Sequence, residues 1–337
     1  MSDQEFDFGL PTGYVYNEEQ TLLLKAATAA PVDQSFSGTA KRMVASGVHY
    51  FNLRSYQASY LKALSSAGRL SEYQSSQRKL VDLGPDGMQF LPLGQLSGTC
   101  NGESFAETVT LSLVANYVAT GTGPLPIEFT AIMPYLLGRD MSIVSRGDTG
   151  SVPAISVRGA HDVGSMPVTC GGFNKLPPNG NNSQETQMIA RRDNPKIPQE
   201  WIDASAPYKS RVWSPDNEWE VADAIATLRP VQKGSQYQVN ETAPGSTGIS
   251  TLYKFPRNGA HATMFEGWAT YKGELIGITM ESWWNVLFPG SKWPHNRVVL
   301  QTDEGPKILY LGQAAFYMKQ FVSLCTDLWA VDSPGTR

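Results

Sequence analysis

The stretch His261-Ala262-Thr263-Met264-Phe265-Glu266-Gly267-Trp268 decides how this chain reads, together with Glu281-Ser282-Trp283-Trp284 after it and the isolated Cys100 far upstream. A cysteine and a histidine that meet only in the fold, with a third polar side chain to orient the imidazole, are the parts of a thiol nucleophile. Working back to the cysteine, Gln95-Leu96-Ser97-Gly98-Thr99-Cys100 is a small polar turn, and Phe105, Val109, Leu113 and Tyr117 follow it at helical spacing. Cys100 is therefore expected at or just before a helix N-terminus. There, exposed N–H groups and the positive end of the dipole stabilise a thiolate. The Cys100 amide and the side-chain amide of Gln95 are candidates for an oxyanion hole. The competing reading of Cys100 is a small buried hydrophobe, the commonest fate of a free cysteine.

Composition bounds the function class. The 337 residues are 41% hydrophobic, 10% aromatic and 17% charged, enough to bury one large core or two packed lobes. A net charge of −4 supplies no basic field for phosphate backbones, so no nucleic-acid partner is expected. No apolar run approaches the roughly 20 residues of a membrane span. The acidic start Met1-Ser2-Asp3-Gln4-Glu5 is unlike a secretory signal. Cys100, Cys170 and Cys325 are too few and too scattered for a disulfide framework or a metal cage, so neither metal nor cofactor is expected.

Four segments follow along the chain. Residues 1–35 read as an N-terminal arm with one short helix closed by Pro31. Residues 36–79 form a helical lead-in, in which Tyr56, Tyr60, Leu61 and Leu64 share a helical face and Gly68 stops the helix. Residues 80–315 alternate helices, strands and Gly/Pro/Asn loops, the most polar loop being 177–183, and residues 316–337 are a C-terminal tail. His49 and His295 read as loop histidines and His161 as a solvent-facing helical one. Cys170 and Cys325 read as structural thiols, and Asp327 and Asp332 as caps of the apolar segment between them.

The order of these stations resembles the papain-like (cathepsin-type) cysteine peptidases. Gly94-Gln95-Leu96-Ser97-Gly98-Thr99-Cys100 is similar to the family's run before its catalytic helix, with one extra residue. Ile127–Leu136 falls where the family carries its second left-lobe helix. Asp148-Thr149-Gly150-Ser151 resembles its Gly-rich turn, and the segment from Asp216 to Val231 its helix and following strand. His261-Ala262 with Gly267-Trp268 matches the family's spacing, and Glu281-Ser282-Trp283-Trp284 stands where the family has Asn-Ser-Trp-Gly. The resemblance implies an α+β, two-lobed papain-like fold: a helical left lobe carrying Cys100 and a right lobe of antiparallel strands with His261 at a strand's leading edge. It also implies roles: Cys100 as nucleophile, His261 as general base and acid, Glu281 as orienting partner, Gln95 in the oxyanion hole and Trp283 shielding the His–Glu pair. Two departures stand out. The orienting Asn is Glu281, and Asn101-Gly102-Glu103 is polar where the family is apolar, so a gap between Cys100 and Phe105 rather than before Ser97 would put Gly102 in the nucleophile's place.

The functional expectation is a cysteine peptidase acting on a polypeptide. The alternative is a catalytically inactive papain-like structural or binding protein of a phage particle. No recognisable inhibitory propeptide precedes the domain, and aromatics gather in residues 1–35 (Phe6, Phe8, Tyr14, Tyr16) and 316–337 (Phe316, Tyr317, Phe321, Trp329). These segments are expected to dock on other subunits of a virion made in the cytoplasm, or of another large assembly.

Overall fold

The structure is a computed structural model and describes residues 14–28, 38–73, 80–90, 98–176, 183–239, 244–254, 260–280 and 297–335. Its helices are α1 (Glu18–Ala27), α2 (Thr39–Ala45), α3 (Arg54–Ser66), α4 (Cys100–Thr120), α5 (Ile132–Leu137), α6 (Pro153–Asp162), α7 (Gln184–Arg191), α8 (Gln199–Ser205), α9 (Glu218–Ala226) and α10 (Met318–Val322). Its strands are β1 (Tyr50–Asn52), β2 (Leu80–Asp82), β3 (Met88–Phe90), β4 (Val212–Trp213), β5 (Val231–Ser235), β6 (Tyr237–Val239), β7 (Leu252–Lys254), β8 (His261–Tyr271), β9 (Glu274–Met280), β10 (Val299–Thr302), β11 (Gly305–Ile308), β12 (Gln313–Tyr317) and β13 (Cys325–Val331).

The α4 helix organises the molecule. Every residue from Cys100 to Ala115 is buried, so the helix lies inside the protein and has no solvent face over that length. Phe105, Val109 and Leu113 pack with Val157, Trp329 and Val331. On another face Leu111 and Ala115 meet Val221, Phe265 and Trp268, and on a third Ala106 meets Ile132, Tyr135 and Met188. The helix ends at Gly121, whose φ of 67° is the left-handed C-cap conformation that glycine adopts without a Cβ penalty. At 21 residues it runs about six turns, and within it Thr108, Thr110 and Ser112 bury their hydroxyls on hydrogen bonds.

The α+β class expected from the sequence holds. One side of α4 is helical, built from α5, α6 and α7. The other is a seven-stranded sheet with strands in the order β12-β9-β8-β5-β13-β4, in which β1 also pairs with β8 and these strands all pair antiparallel. The pairing of β8 with β9 shifts register between Phe265 and Gly267. At that bulge the carboxylate of Glu266, fully buried, takes hydrogen bonds from Arg54 and Gln313, and Arg54 also lies 3.7 Å from Glu107.

Both ends of the chain depart from the sequence reading. Residues 316–335 are part of the core: β13 lies between β5 and β4, and Phe316, Phe321 and Trp329 are fully buried. Of the aromatics expected to face a partner there, Tyr317 alone is exposed, at 38%. Their apolar surface is consumed by the chain's own sheet and by α4. At the other end Tyr14 is buried, while Tyr16 remains exposed, and Phe6 and Phe8 lie outside the described residues. No helix of the described residues is long and apolar enough to cross a membrane.

Candidate active site

Cys100 opens α4, and the Cys100 sulfur accepts the backbone N–H of Ala262 at 3.4 Å. The helix N-terminus therefore meets the first residues of β8, one position past His261, which is itself buried and pairs with Ser235 of β5. The polar residues after the cysteine have physical reasons. Gly102 faces α5: a Cβ there would sit 2.5 Å from the Ala131 carbonyl oxygen and 2.8 Å from the Tyr135 Cβ, so α5 packs this closely only over glycine. Gly102 thus looks away from β8, and Cys100 is the residue that faces the histidine strand. Asn101 donates from its amide to Ser151 Oγ and Ser156 Oγ, both at 2.8 Å. Its own Oδ1 accepts Gln232 Nε2 at 2.9 Å, and the same nitrogen reaches Ser104 Oγ at 3.0 Å. This buried, mutually bonded set joins the start of α4 to β5 on one side and α6 on the other, fixing the cysteine relative to the sheet.

Cys100 is completely buried, in one cluster with Tyr14, Ala260 and Ala262. The tyrosine backbone forms a parallel bridge with Ser151, and Val15 N–H donates to the Ser151 carbonyl at 3.1 Å. Its ring lies flat against Gly234 of β5, the residue paired with Ala262. Its hydroxyl is hydrogen-bonded to Asp327 Oδ2 and to Thr326 Oγ1. Asp327 also accepts from Thr21 Oγ1 at 2.9 Å and from Trp329 Nε1 at 3.2 Å. The sequence reading of Asp327 as a cap is corrected here: it is a buried acceptor for the N-terminal segment. Burial raises its carboxyl above the usual range against the pull of those donors. Burial and the neighbouring Asp327 charge push the Tyr14 phenol well up. Asp332, the other expected cap, sits 2.9 Å from Arg211 and 3.5 Å from Arg229.

Burial, then the Glu200 charge, raises Cys170, and burial pushes Cys325 up to about 12. His49 shares a 2.8 Å hydrogen bond with Thr270 Oγ1, and His161 one of 2.8 Å with Asp162. Gln95, Glu281, Trp283 and His295, together with loop residues 177–182, lie outside the described residues. Among the described residues no three His, Cys, Asp or Glu side chains gather as metal ligands.

Of the participants around Cys100, the sequence reading missed Tyr14, Gly234, Asp327 and Gln232. One signal was available: a carboxylate leading into Leu328-Trp329-Ala330-Val331, a fully apolar run that reads as an interior strand, needs buried donors. Tyr14 and Gly234 carry no local signal, since their meaning lies in a contact between distant segments.

The solved structures this chain is similar to are papain-like cysteine proteases. Xylellain, a cysteine protease from Xylella fastidiosa, is 15% identical with a TM-score of 0.45, over 78% of this chain and 92% of that one. Procathepsin B S9 from Trypanosoma congolense is 13% identical with a TM-score of 0.46, over 97% and 83%. The digestive procathepsin L2 proteinase from Tenebrio molitor larval midgut is 15% identical with a TM-score of 0.37, over 72% and 64%. No family model and no curated protein matches the chain. At these scores the likeness adds no weight to the site, whose reading rests on the contact between Cys100 and the start of β8.

Proposed function

We propose that the chain is a papain-like cysteine peptidase with Cys100 as nucleophile and His261 as its base. The observation that carries this reading is the 3.4 Å contact from the helix-terminal sulfur to the N–H of Ala262, adjacent to His261. In the proposed reaction the imidazole accepts the thiol proton and the thiolate adds to a peptide carbonyl carbon. The C–N bond breaks as the imidazolium protonates the leaving amine, and water then hydrolyses the thioester and restores the thiol. Glu281 would orient the imidazole and favour its charged form, Gln95 would donate to the oxyanion, and Trp283 would shield the pair. The test is cleavage of casein or a fluorogenic peptide set by the chain and by Tyr14→Ala, which removes a side chain from the buried cluster that holds the thiol. Cys100→Ala and His261→Ala, each made in both backgrounds, should abolish cleavage. Activity that survives Cys100→Ala would place the nucleophile elsewhere.

A second reading, an inactive papain-like structural or binding protein of a phage particle, is favoured by the complete burial of Cys100. Its support as a virion or assembly component narrows to α1 and the residues leading into it, where Tyr16, Leu22 and Leu23 are 44%, 59% and 50% exposed. Absence of cleavage by both the chain and Tyr14→Ala would favour it.

A further inference from the structure

Gln232 is an unusual residue for its place. It lies in β5, between β8 and β13, with none of its surface exposed. Its amide nitrogen donates to Asn101 Oδ1 at 2.9 Å, Ser104 Oγ at 3.0 Å and the Asn101 carbonyl at 3.2 Å. The direction of these bonds is fixed from the helical side. Ser156 gives its one hydroxyl hydrogen to the carbonyls of Pro134 and Val152, at 2.7 and 3.3 Å, so its oxygen accepts the Asn101 amide nitrogen. Asn101 therefore turns Oδ1 toward β5, and Gln232 meets it with nitrogen. Turned over, the Gln232 amide would set oxygen against oxygen at Asn101. Its Oε1 consequently stays buried with no hydrogen-bond partner. A buried acceptor left unpaired is destabilising, so this side chain fills its space poorly if stability is its only role.

What the amide does secure is the place of α4 on the sheet. In the β5–β8 register Gln232 stands opposite Met264 and Ser235 opposite His261. The first turn of α4 is tied to this pair of strands twice: by Cys100 Sγ to the Ala262 N–H, and by Asn101 and Ser104 to Gln232. Sulfur is a weak acceptor, so the amide is the stronger tie.

We propose that Gln232 is a positioning residue: it holds the first turn of α4 on β5 and thereby keeps the Cys100 sulfur at the start of β8, beside His261. This rests on reading Cys100 and His261 as nucleophile and base. Gln232 acts on that pair only through Asn101 and Ser104, and its effect is on the placement of the sulfur for proton transfer and attack.

The experiment compares the full chain with Gln232→Met, which keeps an unbranched side chain of similar length and removes the amide. The substitution takes away one unpaired oxygen and leaves another, Asn101 Oδ1, so the urea midpoint should move little. Backbone hydrogen exchange is read by NMR on chain carrying isotopically labelled alanine, with Ala269, farther along β8, as internal reference. Ala262 should exchange about tenfold faster in Gln232→Met while Ala269 is unchanged, the size expected for loss of one net hydrogen bond. On the fluorogenic peptide set, kcat should fall about tenfold at unchanged KM, since a displaced sulfur affects the chemical step and not binding. An unchanged Ala262 rate would overturn the inference. So would joint loosening of Ala262 and Ala269 with a lower midpoint, the mark of a residue that only supports the fold. Should Gln232→Met lose its cooperative melt, Gln232→Glu serves instead. Its carboxyl can donate to Asn101 Oδ1 when protonated and can only accept when ionised. The ratio of Ala262 to Ala269 exchange should then rise about tenfold from acid to alkaline pH, and a flat ratio rejects the tie. Exchange needs no turnover. Faster Ala262 exchange in a chain that cleaves nothing upholds the placement of Cys100 by Gln232 while rejecting the peptidase reading. Cleavage with kcat unchanged in Gln232→Met rejects the positioning role and leaves the peptidase reading in place.

Discussion

Two regions of the sheet, around Glu266 of β8 and around Asp327 of β13, bury a carboxylate with different partners. Around Glu266 the partners are Arg54 at the head of α3 and Gln313 of β12, with Glu107 of α4 close by, and Gln57 and Asn52 bond to those in turn. Every member belongs to the core, and desolvation raises the Glu266 carboxyl despite the adjacent guanidinium. Around Asp327 of β13 the partners are instead Tyr14 and Thr21, from the segment that leads into and opens α1, and Trp329 of its own strand. Buried charge by itself therefore marks stability.

The largest effect is expected at the first region. Glu266→Ala strips the buried Arg54 guanidinium of its closest carboxylate and should cost about 3–5 kcal/mol in urea unfolding, while Asp327→Ala should cost less because it removes hydrogen bonds to neutral donors and leaves no buried cation unpaired. Equal costs would erase the distinction between the two regions. Next comes Gly102→Ala. Its methyl would meet the Ala131 carbonyl at 2.5 Å, so overpacking of α4 on α5 should lower stability by about 1–3 kcal/mol and loosen the Cys100 position. A neutral Gly102→Ala would show that α5 yields without strain.

A smaller, pH-dependent effect sharpens the comparison. The Asp327 carboxyl is raised in the folded chain, so above the ordinary carboxylate range the native state holds a proton that the unfolded state has released. Stability should thus be highest below that range and fall as pH rises through the raised value, by at most about 1.4 kcal/mol per pH unit for one proton. Glu266 is shifted in the same direction and contributes a second fall. Asp327→Asn should remove one of the two and leave the other, read from urea midpoints across pH. A slope identical to that of the unsubstituted chain would mean that Asp327 is not raised.

Much of the fold was legible because it rests on local chemistry. The helical spacing of Phe105, Val109 and Leu113 located α4, whereas the helix after Asp216 came from the resemblance, and the structure shows Asn217 capping the N–H groups of Trp219 and Glu220 at the start of α9. The start of β8 at His261 came from the resemblance. What was not legible depends on contacts between distant segments: β13 as an inner strand, Tyr14 against Gly234, and the bonds from Gln232 to Asn101 and Ser104. Gly102 looked like a flaw in the catalytic helix because the sequence does not reveal that Ala131 passes over it.

The central claim is that Cys100 is a thiol activated at the junction of α4 and β8. Its most direct test is reaction of Tyr14→Ala with a peptidyl fluoromethyl ketone at neutral pH, read by intact mass and peptide mapping. A single adduct on Cys100, lost in the Tyr14→Ala/His261→Ala chain, is the expected result. No adduct, or one shared with Cys170 or Cys325, would contradict it.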